Sequence, residues 1–183
     1  MSPIYPAAGD SPGVSYPCAS PNVVCAGGTS TARNEKTDNL IQEIAWSDAG
    51  GGVSFYEPIP GYQAGNRSIA RQLGGYRGVP DISADANPNT GVWVLDTFPI
   101  PGAGWYIVGG TSVATPTLAG IVNASGQFAS SSVAELFNLY GLDSFVSFND
   151  ITYGACGYYS GTFSASGWDL CTGFGSPRDL EGR

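Results

Sequence analysis

The chain has 183 residues, 42% of them hydrophobic, enough for one domain with its own core. Frequent Gly (27) and Pro (13) point to a globular, loop-rich chain rather than a disordered one. A net charge of −8, with only 12% charged residues, excludes a nucleic-acid partner, because no basic patch can neutralise phosphates. No apolar run is long enough to span a membrane.

The opening "MSPIYPAAGD" has neither a basic n-region nor an apolar h-region. The chain is therefore expected either to be expressed in the cytosol or to begin partway through a longer product. The cysteines favour the second expectation. Cys18 lies close to Cys25, and Cys156 to Cys171, in segments otherwise rich in Gly, Pro, Ser and Asn. Two local disulfides fit an oxidising compartment and a secreted product, the second closing a loop worth roughly 3 kcal/mol. Four free thiols are the alternative. A zinc site has little to build on, with no C-x-x-C and no histidine. Few lysines and many carboxylates suit an acidic medium, where part of the negative charge is neutralised.

In chain order, "NVVCAGGTS" (residues 22–30) reads as a short buried strand ending in a glycine turn. "NLIQEIAW" (39–46) fits strand or helix. "GGGVSFYEPIPGYQ" (50–63) reads as a glycine-rich, proline-broken loop. A strand is expected near 79–84, then a turn at "NPNTG" and the strand "VWVLD". "GWYIVGG" is an apolar strand that delivers the chain to Ser112. Leu118, Ile121 and Val122 then form the stripe of a buried helix, with Pro116 expected in its first turn. "SSVAELFNLYG" (131–141) is a second helix with a serine cap and a glycine stop. The tail from Phe148 reads as loop. Short strands alternating with helices give an α/β fold with a largely parallel sheet flanked by helices.

A serine on a strand–turn–helix junction lies at a helix N-terminus, where free N–H groups and the dipole favour developing negative charge. The same mechanics describe a nucleophile beside an oxyanion hole and a plain helix cap. The chain contains no histidine to act as the base.

"GGTSVATP" resembles the G-T-S-x-x-x-P nucleophile motif shared by subtilisin-like peptidases and the sedolisin (serine-carboxyl peptidase) family. Subtilisins need a histidine base, whereas sedolisins use a glutamate paired with an aspartate. "AAGDSPGVSYPCASPNVVCAGGTS", "GGGVSFYEPIPGYQ" with "YRGVPDISADANPNTG", and "NDI…GWDLCTGFGSP" also resemble sedolisins, kumamolisin-like members especially. The blocks follow the family's order along nearly the whole chain. The resemblance implies a subtilisin-like fold, peptide or protein substrates and two catalytic positions here. Ser112 would be the nucleophile and Asp10 the oxyanion aspartate. A protonated carboxylic acid can donate to an oxyanion and a carboxylate would repel it, so activity should fade as pH rises.

The family's Glu and Asp of the triad lie one helical turn apart, well upstream of the oxyanion aspartate. Only nine residues precede Asp10. The chain is therefore expected to be the C-terminal half of a catalytic domain, truncated on its N-terminal side, with the missing half or a second copy as a partner. Asp81 with Asp85, on strand and turn, and Glu35 with Asp38, in a polar loop, are both expected to be poor substitutes for the base. "RDLEGR" (178–183) looks unlike family sequence and reads as a non-native tail. Residues 1–147 would form the core and 148–177 a calcium-binding region.

In that region the resemblance implies one Ca2+ held by the Asp150 and Asp169 side chains and the carbonyls of Ile151, Ala165 and Gly167. An all-oxygen shell is what a hard cation prefers. Turn or capping roles are the alternative for both aspartates. The competing overall reading is a calcium-stabilised, non-catalytic module that kept the fold after losing its base.

Overall fold

A computed structural model describes residues 2–98, 102–127, 129–141, 144–156 and 162–180. Its centre is strand β1 (Ala26–Arg33). On one edge the Ala26 N–H and C=O face residues 6–8, bonding the Pro6 carbonyl (2.9 Å) and the Ala8 N–H (2.8 Å). This short ladder is parallel, with a bridge between Ala7 and Ala26. On the opposite edge β1 pairs in parallel with β5 (Ile82–Asp85), Ala26 opposite Ile82 and Thr29 opposite Asp85. Gly27 permits this approach: a Cβ there would sit 2.4 Å from Ser83 Oγ and 2.6 Å from Pro80 Cγ.

The fold is α/β as expected, but parallel pairing is narrower than the sequence suggests. Past Thr29, β1 turns to β2 (Leu40–Ala45), which pairs antiparallel and settles the ambiguous 39–46 segment as a strand. The remaining ladders among the described residues are antiparallel pairs. The "loop" at 50–63 contains β3 (Gly52–Pro58), paired with β4 (Tyr76–Val79). Between them lie one helical turn, α1 (Gly61–Ala64), and helix α2 (Arg67–Leu73), which the sequence reading did not place. The Asn66 side chain caps α2 by accepting from Ser68 and Ile69 N–H, and Gly74 ends it at φ 57°. The strand expected at 79–84 is divided at Pro80-Asp81, since proline has no N–H to give a ladder.

Strands β6 (Val92–Asp96) and β7 (Gly104–Val108) lie where expected but pair with each other as an antiparallel hairpin, with Val92 opposite Val108 and Asp96 opposite Gly104. Helix α3 (Thr111–Ser125) follows and buries Thr111, Ala114, Leu118 and Val122 against the sheet, while Ile121 is half-buried. Because α3 begins before Ser112, Pro116 lies in its second turn rather than its first. Helix α4 (Ser132–Gly141) has the expected cap: Ser131 Oγ accepts from Ala134 N–H at 3.2 Å. One turn, α5 (Ser144–Ser147), leads into β8 (Phe148–Asn149), β9 (Ala155–Cys156), β10 (Thr162–Phe163) and β11 (Ser176–Pro177). The tail is thus ordered by short ladders, β8 with β11 and β9 with β10. Its Phe148, Trp168 and Phe174 join Ile82, Leu118 and Leu136 in one core.

Both cysteine pairs are joined, Cys18 to Cys25 and Cys156 to Cys171. No helix among the described residues is long and apolar enough to cross a membrane.

Candidate active site

Chain direction builds the first site. The parallel segment at residues 4–8 ends at Gly9-Asp10, and β5 is followed by Ala86, which accepts from Gly110 N–H. Both carboxyl ends therefore deliver the chain to the N-terminus of α3, where open α/β sheets bind ligands. Gly110 is the N-cap residue, at φ 97° and ψ 159°, and has no side chain to satisfy the first N–H groups. Asp10 does so from a distance in sequence. Its Oδ1 accepts from the Thr111 N–H and from the Thr111 hydroxyl, each at 2.7 Å. The Thr111 hydroxyl in turn accepts from Gly9 N–H at 3.1 Å. A Cβ on Gly110 would lie 2.5 Å from Asp10 Oδ2. Only glycine tolerates both that contact and that φ.

Ser112 is thus the second helical residue rather than the cap, and it is exposed, as is Asp10. Val113 N–H reaches the Gly110 carbonyl at 2.8 Å and Thr111 N–H reaches Asp10. That leaves Ser112 N–H and Oγ without a partner among the described residues. A free N–H beside an exposed hydroxyl and a carboxyl group is a suitable arrangement for nucleophilic attack with stabilisation of an oxyanion. The structure therefore brings the two predicted catalytic residues to one helix terminus, through Thr111. The role of Thr111 was not read from the sequence, although it stands inside the quoted motif.

No described carboxylate reaches the Ser112 hydroxyl as a base. Asp81 is wholly buried: its Oδ2 bonds Arg77 Nη2 (2.6 Å) and Cys25 N–H (2.7 Å), and its Oδ1 accepts from Tyr140 (2.7 Å). Asp85 turns instead to the Thr31 and Thr90 hydroxyls, at 3.1 and 2.8 Å. It lines a cavity of 430 Å3 with Glu43, Thr117 and Ile121. Glu43 is engaged there by Thr29, Asn149 and Ser176. Glu35 and Asp38 are exposed in their loop.

Of the second predicted constellation, hydrogen bonds join Asp150 and Asp169 to the turn that holds Ala165 and Gly167. Asp150 accepts from Gly167 N–H (3.0 Å) and from the Ser166 hydroxyl (3.3 Å). Asp169 Oδ2 accepts from Ala165 N–H at 2.9 Å, and its Oδ1 from Cys171 and Thr172 N–H at 2.8 Å each. One short turn, 165–167, thus joins the two aspartates. Burial pushes the Asp169 carboxyl up to about 6, against the pull of the Ala165, Thr172 and Cys171 N–H groups. The carbonyls of Ile151, Ala165 and Gly167 accept no hydrogen bond among the described residues. Two carboxylates, the unengaged Ala165 and Gly167 carbonyls of the turn they share, and the carbonyl of Ile151 next to Asp150 are compatible with a hard cation. Among the described residues there is no group of three or more His, Cys, Asp or Glu side chains that could hold a metal. A cation here would therefore depend on those carbonyls.

No protein-family model matches the chain. It is similar to kumamolisin of Bacillus sp. (strain MN-32), 36% identical over 181 residues, covering 90% of this chain and 31% of that protein. It is also similar to sedolisin of Pseudomonas sp. (strain 101), 32% identical over 181 residues, covering 89% and 28%. The chain thus spans under a third of the length of these curated relatives. Among solved structures it superposes on Pseudomonas sedolisin, a serine-carboxyl proteinase complexed with two molecules of pseudo-iodotyrostatin. The TM-score is 0.73 at 29% identity, covering 90% of this chain and 46% of that one. Sphericase, at 23% identity and a TM-score of 0.52, shares the fold.

Proposed function

Because the chain belongs to the sedolisin family of serine-carboxyl peptidases, we propose that it carries the nucleophile and oxyanion side of an acid-active endopeptidase. The observation that supports this most is the Asp10 carboxyl group bonded to the residue before Ser112, at the mouth of α3. Ser112 Oγ attacks the carbonyl carbon of a peptide, and the carbonyl oxygen takes the negative charge. Ser112 N–H and a protonated Asp10 are the donors to that oxygen. Collapse of the adduct breaks the C–N bond and expels the amine, which takes the proton first removed from Ser112 Oγ, leaving an acyl-enzyme that water releases.

The Ser112 proton needs an acceptor. By family resemblance this is a glutamate paired with an aspartate, and the described residues offer none in its place. The chain by itself should consequently be weak or inert, and should act when that dyad is supplied by further polypeptide. Ionising Asp10 removes a donor and adds like charge, so hydrolysis should fall with rising pH. The disulfides suit a secreted product.

One Ca2+ would be held by Asp150 and Asp169 with the carbonyls of Ile151, Ala165 and Gly167. It would supply positive charge to a turn that otherwise binds both carboxylates through neutral donors, and so stabilise the 148–177 region.

Cleavage of an unstructured peptide near about pH 4, compared between the chain and Ser112→Ala, tests the activity. A rate lost in Ser112→Ala supports the proposal, and equal rates reject catalysis by this chain. That no described residue offers a base to Ser112 favours one other reading, a calcium-stabilised module without catalysis. That reading expects a calcium-dependent melting temperature and no capture of Ser112 by a peptide aldehyde.

A further inference from the structure

Asp10 reaches the helix through one oxygen only. Oδ1 accepts both donors of Thr111, while Oδ2 faces Gly110 and has no hydrogen bond among the described residues. Thr111 Oγ1 accepts from Gly9 N–H, and Asp10 Oδ1 is the one acceptor its own proton finds among the described residues, so that proton goes to Asp10. Thr111 is 1% exposed, so water does not compete for that proton. An Oδ1 that already accepts an N–H and an O–H has no room for the acid proton.

We propose that Thr111 is the positioning residue of the oxyanion site: it holds Oδ1 as an acceptor and leaves the proton of the acid on Oδ2. Gly110 completes the arrangement, since a side chain there would occupy the space that Oδ2 uses. An acid in this state is oriented before any substrate arrives. Its O–H need not turn when the oxyanion forms, which is what makes a preorganised donor effective. This inference rests on the reading of Asp10 as oxyanion donor.

The test uses the full chain, with carbon-13 label in the aspartate carboxyls. Thr111→Val keeps the shape and removes the hydroxyl, whereas Thr111→Ser restores it. The Asp10 titration midpoint should rise in Thr111→Val and return toward the parent value in Thr111→Ser. A labelled peptide aldehyde then reads the oxyanion side. Its hemiacetal with Ser112 should weaken roughly tenfold in Thr111→Val, the size expected for losing one hydrogen bond to a charged group, and recover in Thr111→Ser. If Thr111→Val does not fold, Thr111→Ala is read in the same two ways. An unmoved midpoint, or a midpoint that Thr111→Ser fails to restore, overturns the positioning role. A moved and restored midpoint with no hemiacetal in the parent chain upholds the positioning of Asp10 but rejects Asp10 and Ser112 as an oxyanion site.

Discussion

The meeting of residues 4–10, β1, β5 and α3 differs sharply from the β6–β7 hairpin. In and beside the first region, polar side chains away from the exposed Asp10 and Ser112 are largely buried and paired. Arg77 and Asp81 are both 0% exposed; Tyr140 and Cys25 N–H donate to Asp81, and Gln63 in turn donates to Tyr140 and the Gly78 carbonyl. Burial pulls Arg77 downward, but Asp81 with the nearby Tyr140 and Tyr62 oxygens leaves it net raised and firmly charged. In the hairpin the reverse holds. Trp93 is 64% and Trp105 63% exposed, and Val94, Leu95, Tyr106 and Ile107 are also open to solvent. Its five residue pairs form an unbroken antiparallel register. The lesson is that apolar content does not decide burial. A strand is covered only where other elements supply a complementary face, and an apolar ladder this open is a surface for association.

Breaking the matched region should have the largest effect. Arg77→Met leaves Asp81 buried without its cation, at a cost of about 3–5 kcal/mol in denaturant unfolding. Replacing both, Arg77→Met with Asp81→Leu, should recover much of that loss. A single variant as stable as the parent would remove the distinction between the two regions.

The second effect belongs to Asp169, also on the matched side. If Ca2+ binds as proposed, concentrations near 100 Kd should raise stability by about 2.7 kcal/mol, visible as a higher melting temperature. Asp169→Asn should abolish the rise. An equal rise in the variant would place the ion elsewhere.

The hairpin should respond in the opposite manner. Trp93→Ser with Trp105→Ser should shift the chain from self-associated species toward monomer in sedimentation, while changing unfolding by only about 0.5 kcal/mol, as for exposed sites. A parent chain that is already monomeric at high concentration would contradict the association.

The smallest effect concerns pH. Burial raises the Asp85 carboxyl above its ordinary 3.8, the Thr90 and Thr31 hydroxyls and a backbone bond from Asn87 oppose this, and the Glu43 charge adds to the rise. The folded chain therefore binds that proton more tightly than the unfolded chain. The stability this proton gives is fully present below 3.8 and is lost as pH climbs through the raised folded value. Asp85→Asn should flatten that decline in a series of melts, and an unchanged slope would assign it to other carboxylates.

Local patterns account for much of what was legible. The alternation of "VWVLD", the apolar "GWYIV" and the Ser131 cap each depend on residues close in sequence, and β6, β7 and α4 appear as expected. Helix α2 was also legible in principle, through Asn66, Ile69 with Leu73, and Gly74, but the proline-rich stretch before it reads as loop. Segment 39–46 stayed ambiguous because its burial follows neither period cleanly, from exposed Leu40 to buried Ala45. The narrow extent of parallel pairing could not be read. Ala26 meets Ile82 through contacts far apart in sequence that no local pattern encodes. The site divides similarly. Asp10 and Ser112 were found by resemblance, but Thr111, which joins them, is visible only in three dimensions.

The most direct measurement is the carbon-13 signal of a labelled peptide aldehyde bound to the chain, followed across acidic pH in the parent, Asp10→Ala and Ser112→Ala. A hemiacetal that forms in acid, weakens as pH rises and is lost in both variants is the predicted result. Binding that survives both substitutions unchanged would show that residues 10 and 112 do not form one site.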